Sequence, residues 1–263
     1  MKRDTIRFLA AATAGCWLAA AAASAGGPMG TATIKGTVQL KAPPAAAMAI
    51  KMDADPFCNQ VNAGKVVSPQ GKMVFSDGTL PYAFVWIKSG ITGKYDPPAD
   101  PLVINQEGCM YKPHVAGMVC GQSILIKNSD DTNHNIHSQP KKNPVFNFSQ
   151  PKKDMTRTLT GNDTFTRPEV MVKIKCDVHP WMSAYVGVVE HPFFAVSAQG
   201  GKYEIKNVPG GKYKLGIWHE EWGTLPDVEI EVADGATAEH VFAYEKKTAA
   251  AAPREVGVQD LGR

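Results

Sequence analysis

The chain has no long apolar run after its first 25 residues. No later segment of its 263 residues is apolar enough to span a bilayer, which argues against a multi-span membrane protein. It also lacks a strong charge of either sign. The formal net charge is +3, and part of that sits at the extreme N-terminus in Lys2, Arg3 and Arg7 against Asp4. A near-neutral remainder offers no basic patch for nucleic acid and no field to steer an acidic partner. No stretch reads as a convincing helix. Cysteine is sparse, five in all, and Cys-x-x-Cys-His is absent, which excludes covalent haem attachment.

Residues 1–25 read as a secretory signal: a basic start, an Ala-rich apolar run from Phe8 to Ala23, and the small-x-small site Ala23-Ser24-Ala25. A membrane anchor and a lipoprotein signal at Cys16 are the alternatives. The run is short for a span, and Thr13-Ala14-Gly15 makes a poor lipobox. Export predicts a periplasmic or secreted protein with no membrane span after cleavage, in a compartment where disulfides persist. Cys58, Cys109, Cys120 and Cys176 would remain.

The mature chain reads as all-β. Short alternating runs are broken by Gly, Pro, Asn and Asp, as in a sandwich or barrel. Expected strands are Thr33–Leu40, Tyr82–Lys88, Val115–Val119, Ser123–Asn128, Val170–Lys175, Tyr185–Val189, Lys202–Ile205, Tyr213–Trp218, Val228–Val232 and His240–Tyr244. Val170, Val172 and Ile174 should share one face, and so should Tyr213, Leu215 and Ile217. Ala42–Ala49 reads as a loop, and residues 246–263 as a disordered tail.

The densest chemistry lies in Cys-Asp-Val-His-Pro-Trp-Met at Cys176–Met182, between two expected strands. One tight loop there presents a thiolate, an imidazole and a thioether together. A trigonal His₂Cys set with a weak axial Met is the donor set of a blue-copper site. A second imidazole is available from Asn-Ser-Asp-Asp-Thr-Asn-His-Asn-Ile-His at Asn128–His137, with His134 first and His137 as the rival.

These residues resemble the amicyanin and plastocyanin-like group of cupredoxins. His-Asn-Ile-His is followed some forty residues on by Cys-x-x-His-Pro-x-Met. Val-Cys-Gly-Gln-Ser-Ile-Leu-Ile-Lys-Asn at Val119–Asn128 is similar to V-x-x-G-D-x-V-x-x-x-N, with Gln122 where Asp is usual. The resemblance covers about residues 101–190 and implies a Greek-key β-sandwich. It also implies one type 1 copper ion held by His134, Cys176, His179 and Met182. Asn135 would be the residue whose backbone N–H tunes the thiolate. The resemblance further implies an electron port where His179 reaches the protein edge, with Pro180 and Trp181 as an apolar docking patch.

Rival readings remain open. Cys176, His179, His134 and His137 could form a tetrahedral zinc site. Cys176 could pair with Cys120 in a structural bond. His114, His137 and His191 are candidate accessory ligands, while His219 reads as structural. A dinuclear copper centre would need a second loop cysteine, and a multicopper oxidase would need His-x-His pairs. Neither is present. The expected function is single-electron carriage, not catalysis, with a c-type cytochrome or periplasmic dehydrogenase as partner. The alternative is a copper- or zinc-handling module without electron transfer. Cys58 and Cys109, both loop-like and outside the metal loop, are the expected disulfide, which leaves Cys120 as a buried thiol. Such a bridge closes a loop of about fifty residues, a stabilisation of about 4 kcal/mol on chain-entropy grounds.

Residues 193–245 resemble a second family, the carboxypeptidase regulatory-like (transthyretin-like) sandwich, through Gly-Gly-Lys-Tyr-Glu-Ile-Lys-Asn-Val-Pro-Gly-Gly-Lys-Tyr-Lys-Leu-Gly-Ile-Trp at Gly200–Trp218. That span is too short for a whole sandwich. Ile34–Leu40 and Ala83–Lys88 resemble the missing first strands. Two layouts fit: a smaller, discontinuous sandwich with the cupredoxin inserted between Lys88 and Phe193, or an N-terminal extension of the cupredoxin over residues 31–95.

Overall fold

The computed structural model describes residues 27–41, 49–65 and 77–245. The signal at 1–25, the tail at 246–263 and most of the loop after Lys41 lie outside the described residues. The strands, in chain order, are β1 (Ala32–Leu40), β2 (Phe84–Ser89), β3 (Leu102–Gln106), β4 (Tyr111–Lys112), β5 (Val115–Val119), β6 (Ile124–Asn128), β7 (His134–Gln139), β8 (Asn147–Gln150) and β9 (Thr156–Leu159). They continue as β10 (Glu169–Lys175), β11 (Ser183–Val189), β12 (Phe194–Val196), β13 (Lys202–Val208), β14 (Gly211–His219), β15 (Gly223–Thr224), β16 (Val228–Val232) and β17 (Thr237–Tyr244). The protein is all-β, and among the described residues a short helix, α1 (Pro56–Val61), stands where no helix was expected. Asp55 caps that helix by accepting from the Cys58 N–H at 2.9 Å, and Pro56 opens it, where a missing N–H costs nothing.

Two sheets, β4-β3-β6-β9 and β5-β11-β10-β7-β8, enclose one core built from Ile104, Ile124, Ile136, Val172, Ile174 and Val186. Two others, β13-β1-β17 and β12-β2-β14-β15 with β16 beside β14, enclose a second core containing Ile34, Val38, Val85, Leu215 and Phe242. The chain supplies β1 and β2 to the second pair of sheets, runs through the first pair, and returns at β12. Residues 49–65 do not follow β1: Met52 and Cys58 are buried in the first core.

Alternation explains most strands. In β1, Ile34, Val38 and Leu40 are buried while Lys35 and Gln39 face water. Tyr213, Leu215 and Ile217 all enter the second core. Val170 departs from its expected face. The pairing of β10 with β11 shifts register between Glu169 and Val172, so Val170 joins the junction between the sandwiches while Val172 and Ile174 enter the first core. That junction is apolar, with Phe84, Val115 and Val189 buried at its centre. Gly187 lets it close: a Cβ there would lie 2.5 Å from the Phe84 ring.

Candidate metal centre

His134 opens β7, and Cys176–Met182 forms the turn between β10 and β11. That turn is tied by its own backbone. The Met182 N–H donates to His179 O at 2.9 Å, and the Cys176 N–H donates to Met182 O at 3.1 Å. The Cys176 Sγ, His179 and His134 ligand atoms lie within 4.8 Å of one another, and all three residues are buried. His134 Nδ1 and His179 Nδ1 face each other at 3.0 Å, and His179 Nδ1 is 3.8 Å from Cys176 Sγ. Met182 is wholly buried in the same core. These three donors form a pocket that can hold a metal ion.

The thiol is prepared for a cation. The Asn135 and His179 N–H groups donate to Cys176 Sγ at 3.4 and 3.3 Å. Burial pushes the Cys176 pKa up, but hydrogen bonds from His134, His179 and the two backbone N–H groups outweigh it and bring it to about 6. Asn135 is fixed in turn. Its Oδ1 accepts from the Asp177 N–H at 3.2 Å, its Nδ2 donates to Asn147 Oδ1 at 2.7 Å, and its carbonyl accepts from the Tyr111 hydroxyl.

Two carboxylates that the sequence reading passed over complete the site. Asp130 Oδ2 lies 2.9 Å from His134 Nε2 and also accepts from the Cys109 N–H at 2.7 Å, while Oδ1 accepts from the Gly108 N–H at 2.8 Å. Asp130 is aimed there by Asn128, whose Oδ1 accepts from the Asp130 N–H at 2.9 Å. Asp55 Oδ2 lies 3.0 Å from His179 Nε2 and accepts from the Thr132 hydroxyl at 2.9 Å. Burial raises both carboxyl pKa values, but the hydrogen bonds outweigh it and hold both below the ordinary range. A carboxylate has no proton to give, so each Nε2 carries a hydrogen and each Nδ1 is turned toward the thiol. The two Nδ1 atoms and the Cys176 sulfur therefore converge on one buried space, and the hydrogen bonds to the thiol and the carboxylates raise both imidazole pKa values against the pull of burial.

A disulfide joins Cys58 of α1 to Cys109, and Cys58 Sγ is 3.8 Å from His179 Nε2. Helix α1 is thereby fastened over the loop histidine. His179 is only 2 % exposed, so the expectation that it reaches the protein edge is corrected: Asp55 and the disulfide cover its outer nitrogen. Trp181 is half-buried, 5.0 Å from the His179 ring, with its Nε1–H donating to Cys109 O at 3.1 Å. Of the expected patch only Pro180 is exposed.

The remaining histidines stay apart from the centre. His137 lies further along β7, with Nδ1 3.0 Å from Asp177 Oδ2, and does not join the three donors. The Cys/His₃ tetrahedron of the zinc reading therefore does not form among the described residues. His114 is engaged at both nitrogens, by Ser183 O at 3.0 Å and Glu220 Oε2 at 2.8 Å. His191 Nδ1 accepts from the Phe193 N–H at 3.3 Å. Cys120 is free but only half-buried, because β5 ends at Val119 and leaves it in the following turn. Among the described residues, no helix is long and apolar enough to cross a membrane.

No family model and no curated protein matches this chain. Solved structures give partial likenesses. A Cu-containing nitrite reductase from Thermus scotoductus is 21% identical over 39% of this chain and 25% of that chain, with a TM-score of 0.30. The match thus spans a quarter of the reductase. A Cu(I) amicyanin mutant is 21% identical over 40% of this chain and 97% of its own, with a TM-score of 0.29. A purple cupredoxin from Nitrosopumilus maritimus is 22% identical over 33% of this chain and 98% of its own, with a TM-score of 0.26.

Proposed function

We propose that the chain is an exported type 1 copper protein of the cupredoxin kind that carries single electrons and catalyses no reaction. The observation that carries this reading is the convergence of the Cys176 thiolate with the Nδ1 atoms of His134 and His179, whose other nitrogens each face a carboxylate. Imidazole suits several metals, but a buried thiolate with two imidazoles and a nearby Met is the set that copper uses for electron transfer. Met182 is the axial candidate. When bound, copper supplies a one-electron couple.

The chain's own residues supply the rest. The hydrogen bonds to Cys176 favour its thiolate, the form that binds a metal. Asn135 and His179 hold its sulfur through backbone N–H groups. The core around Ile136, Ile174 and Met182 excludes water. With His179 Nε2 closed off, Trp181 is the conjugated group between the His179 ring and the surface. It is the proposed route to a partner such as a c-type cytochrome or a periplasmic dehydrogenase. The second sandwich, which we read as the transthyretin-like module, flanks the inserted copper domain and supplies none of the donors. Stopped-flow oxidation of the reduced protein by a c-type cytochrome tests the route. Trp181→Leu should slow transfer at least tenfold with the visible spectrum retained, and an unchanged rate would refute it.

A further inference from the structure

We propose that Asp55 and Asp130 are positioning residues that fix both ligand imidazoles as Nε2–H tautomers and bias a bound copper ion toward its oxidised state. The inference rests on the copper reading above and assigns to the site two residues outside its donor set. Each carboxylate is itself held. Asp130 takes the Gly108 and Cys109 N–H groups at 2.8 and 2.7 Å, and Asp55 takes the Cys58 N–H and the Thr132 hydroxyl at 2.9 Å each. Neither can turn away without leaving those donors unpaired.

Two consequences follow from charge and tautomer. An imidazole that donates to a carboxylate is a more basic ligand through its other nitrogen, and a more basic ligand favours the higher-charged ion. The thiolate and two carboxylates also place three negative charges around the ion in a water-poor interior. The doubly charged ion offsets that field better than the singly charged one. The contribution from Asp55 depends on α1, which is fastened by the Cys58–Cys109 bond to the Gly108–Cys109 turn that holds Asp130. Pairing both imidazoles in this way also means that neither presents a bare nitrogen to solvent.

Asp55→Asn is the sharpest variant. Asn is as good a helix cap as Asp, so α1 stays in place through Oδ1 on the Cys58 N–H, while the charge is lost and the amide nitrogen that replaces Oδ2 cannot accept from His179 Nε2. Voltammetry of the copper-loaded full chain should show that, at fixed potential, the Cu(I) to Cu(II) ratio rises at least tenfold, which is 59 mV for a one-electron couple. Asp130→Asn should shift the ratio in the same direction. In NMR spectra of the diamagnetic Cu(I) protein, the wild type should show protected Nε2–H signals from both His134 and His179, with the His179 signal exchanging faster in Asp55→Asn. A smaller or opposite change in ratio, or protons on Nδ1, would overturn the proposal while leaving copper binding intact. Failure of the wild type to hold copper would overturn the copper reading and this inference together.

Discussion

The molecule buries two pairs of histidines and treats them in opposite ways. His134 and His179 each turn one nitrogen to a carboxylate and the other toward Cys176, so that three donor atoms converge at the centre of a core. His114 and His219, at the junction of the sandwiches, are equally buried, yet His114 is paired at both nitrogens and His219 Nδ1 accepts from the Glu221 N–H at 3.2 Å. Desolvation, with no thiolate beside it, lowers the His219 pKa to about 4. Burial of imidazole is therefore no sign of a metal. The sign is a thiol and two imidazole nitrogens whose donor atoms lie within 4.8 Å of one another.

The comparison breaks most decisively at the sulfur. Cys176→Ser should abolish the visible thiolate-to-copper band of the loaded protein, since a hydroxyl is not a soft ligand. A retained band would place the thiolate elsewhere. The next largest effect separates the two histidines of β7. His134→Ala should remove or rewrite the spectrum. His137→Ala, at a residue paired with Asp177, should leave it unchanged, and the reverse outcome in absorption spectra would exchange their roles.

At the junction the expected effect is mechanical. His114→Ala removes the hydrogen bonds to Ser183 O and Glu220 Oε2 and should cost about 1–3 kcal/mol in denaturant unfolding, with the copper spectrum unaltered. A change in that spectrum would show that the two histidine pairs are coupled. The smallest effect is a titration. In metal-free protein one thiolate should appear near pH 6, from Cys176, and the next only near pH 11, from Cys120, whose burial raises it. Because the Cys176 pKa is depressed on folding, its contribution to stability is lost as pH falls through about 6 and is full only above its ordinary value of 9.0. Ultraviolet thiolate absorbance of wild type and Cys176→Ser would show whether the first step is missing from the variant.

How much of this was readable without coordinates depends on how local the signal is. The Cys176–Met182 loop was legible because its donors lie within seven residues and two alternating strands flank it. Asp130 was within reach, four residues before His134 in a polar turn, but an acidic turn residue usually faces solvent. Asp55 was not legible as a site residue: it meets His179 across 124 positions, at the start of a six-residue helix too short for hydrophobic periodicity. Its Asp-Pro start was the available hint of a capped helix. The same segment covers His179, which is why an exposed loop histidine was expected and a buried one found. Val115–Val119 and Val228–Val232 were read to the residue, because Gly, Pro or polar residues bound both runs. Strands β3, β4, β7, β8, β9, β12 and β15 were not expected: β4, β12 and β15 are two or three residues long, and Asn147–Gln150 and Thr156–Leu159 show mostly polar faces.

The most direct test of the central claim is metal content measured together with the visible and electron paramagnetic resonance spectra of the full-length protein after loading with Cu(II). The account predicts one copper per chain, an intense thiolate-to-copper band that bleaches on reduction and returns on oxidation, and loss of both band and copper in His179→Ala. A colourless Cu(II) protein, or a copper signal that persists in His179→Ala, would contradict it.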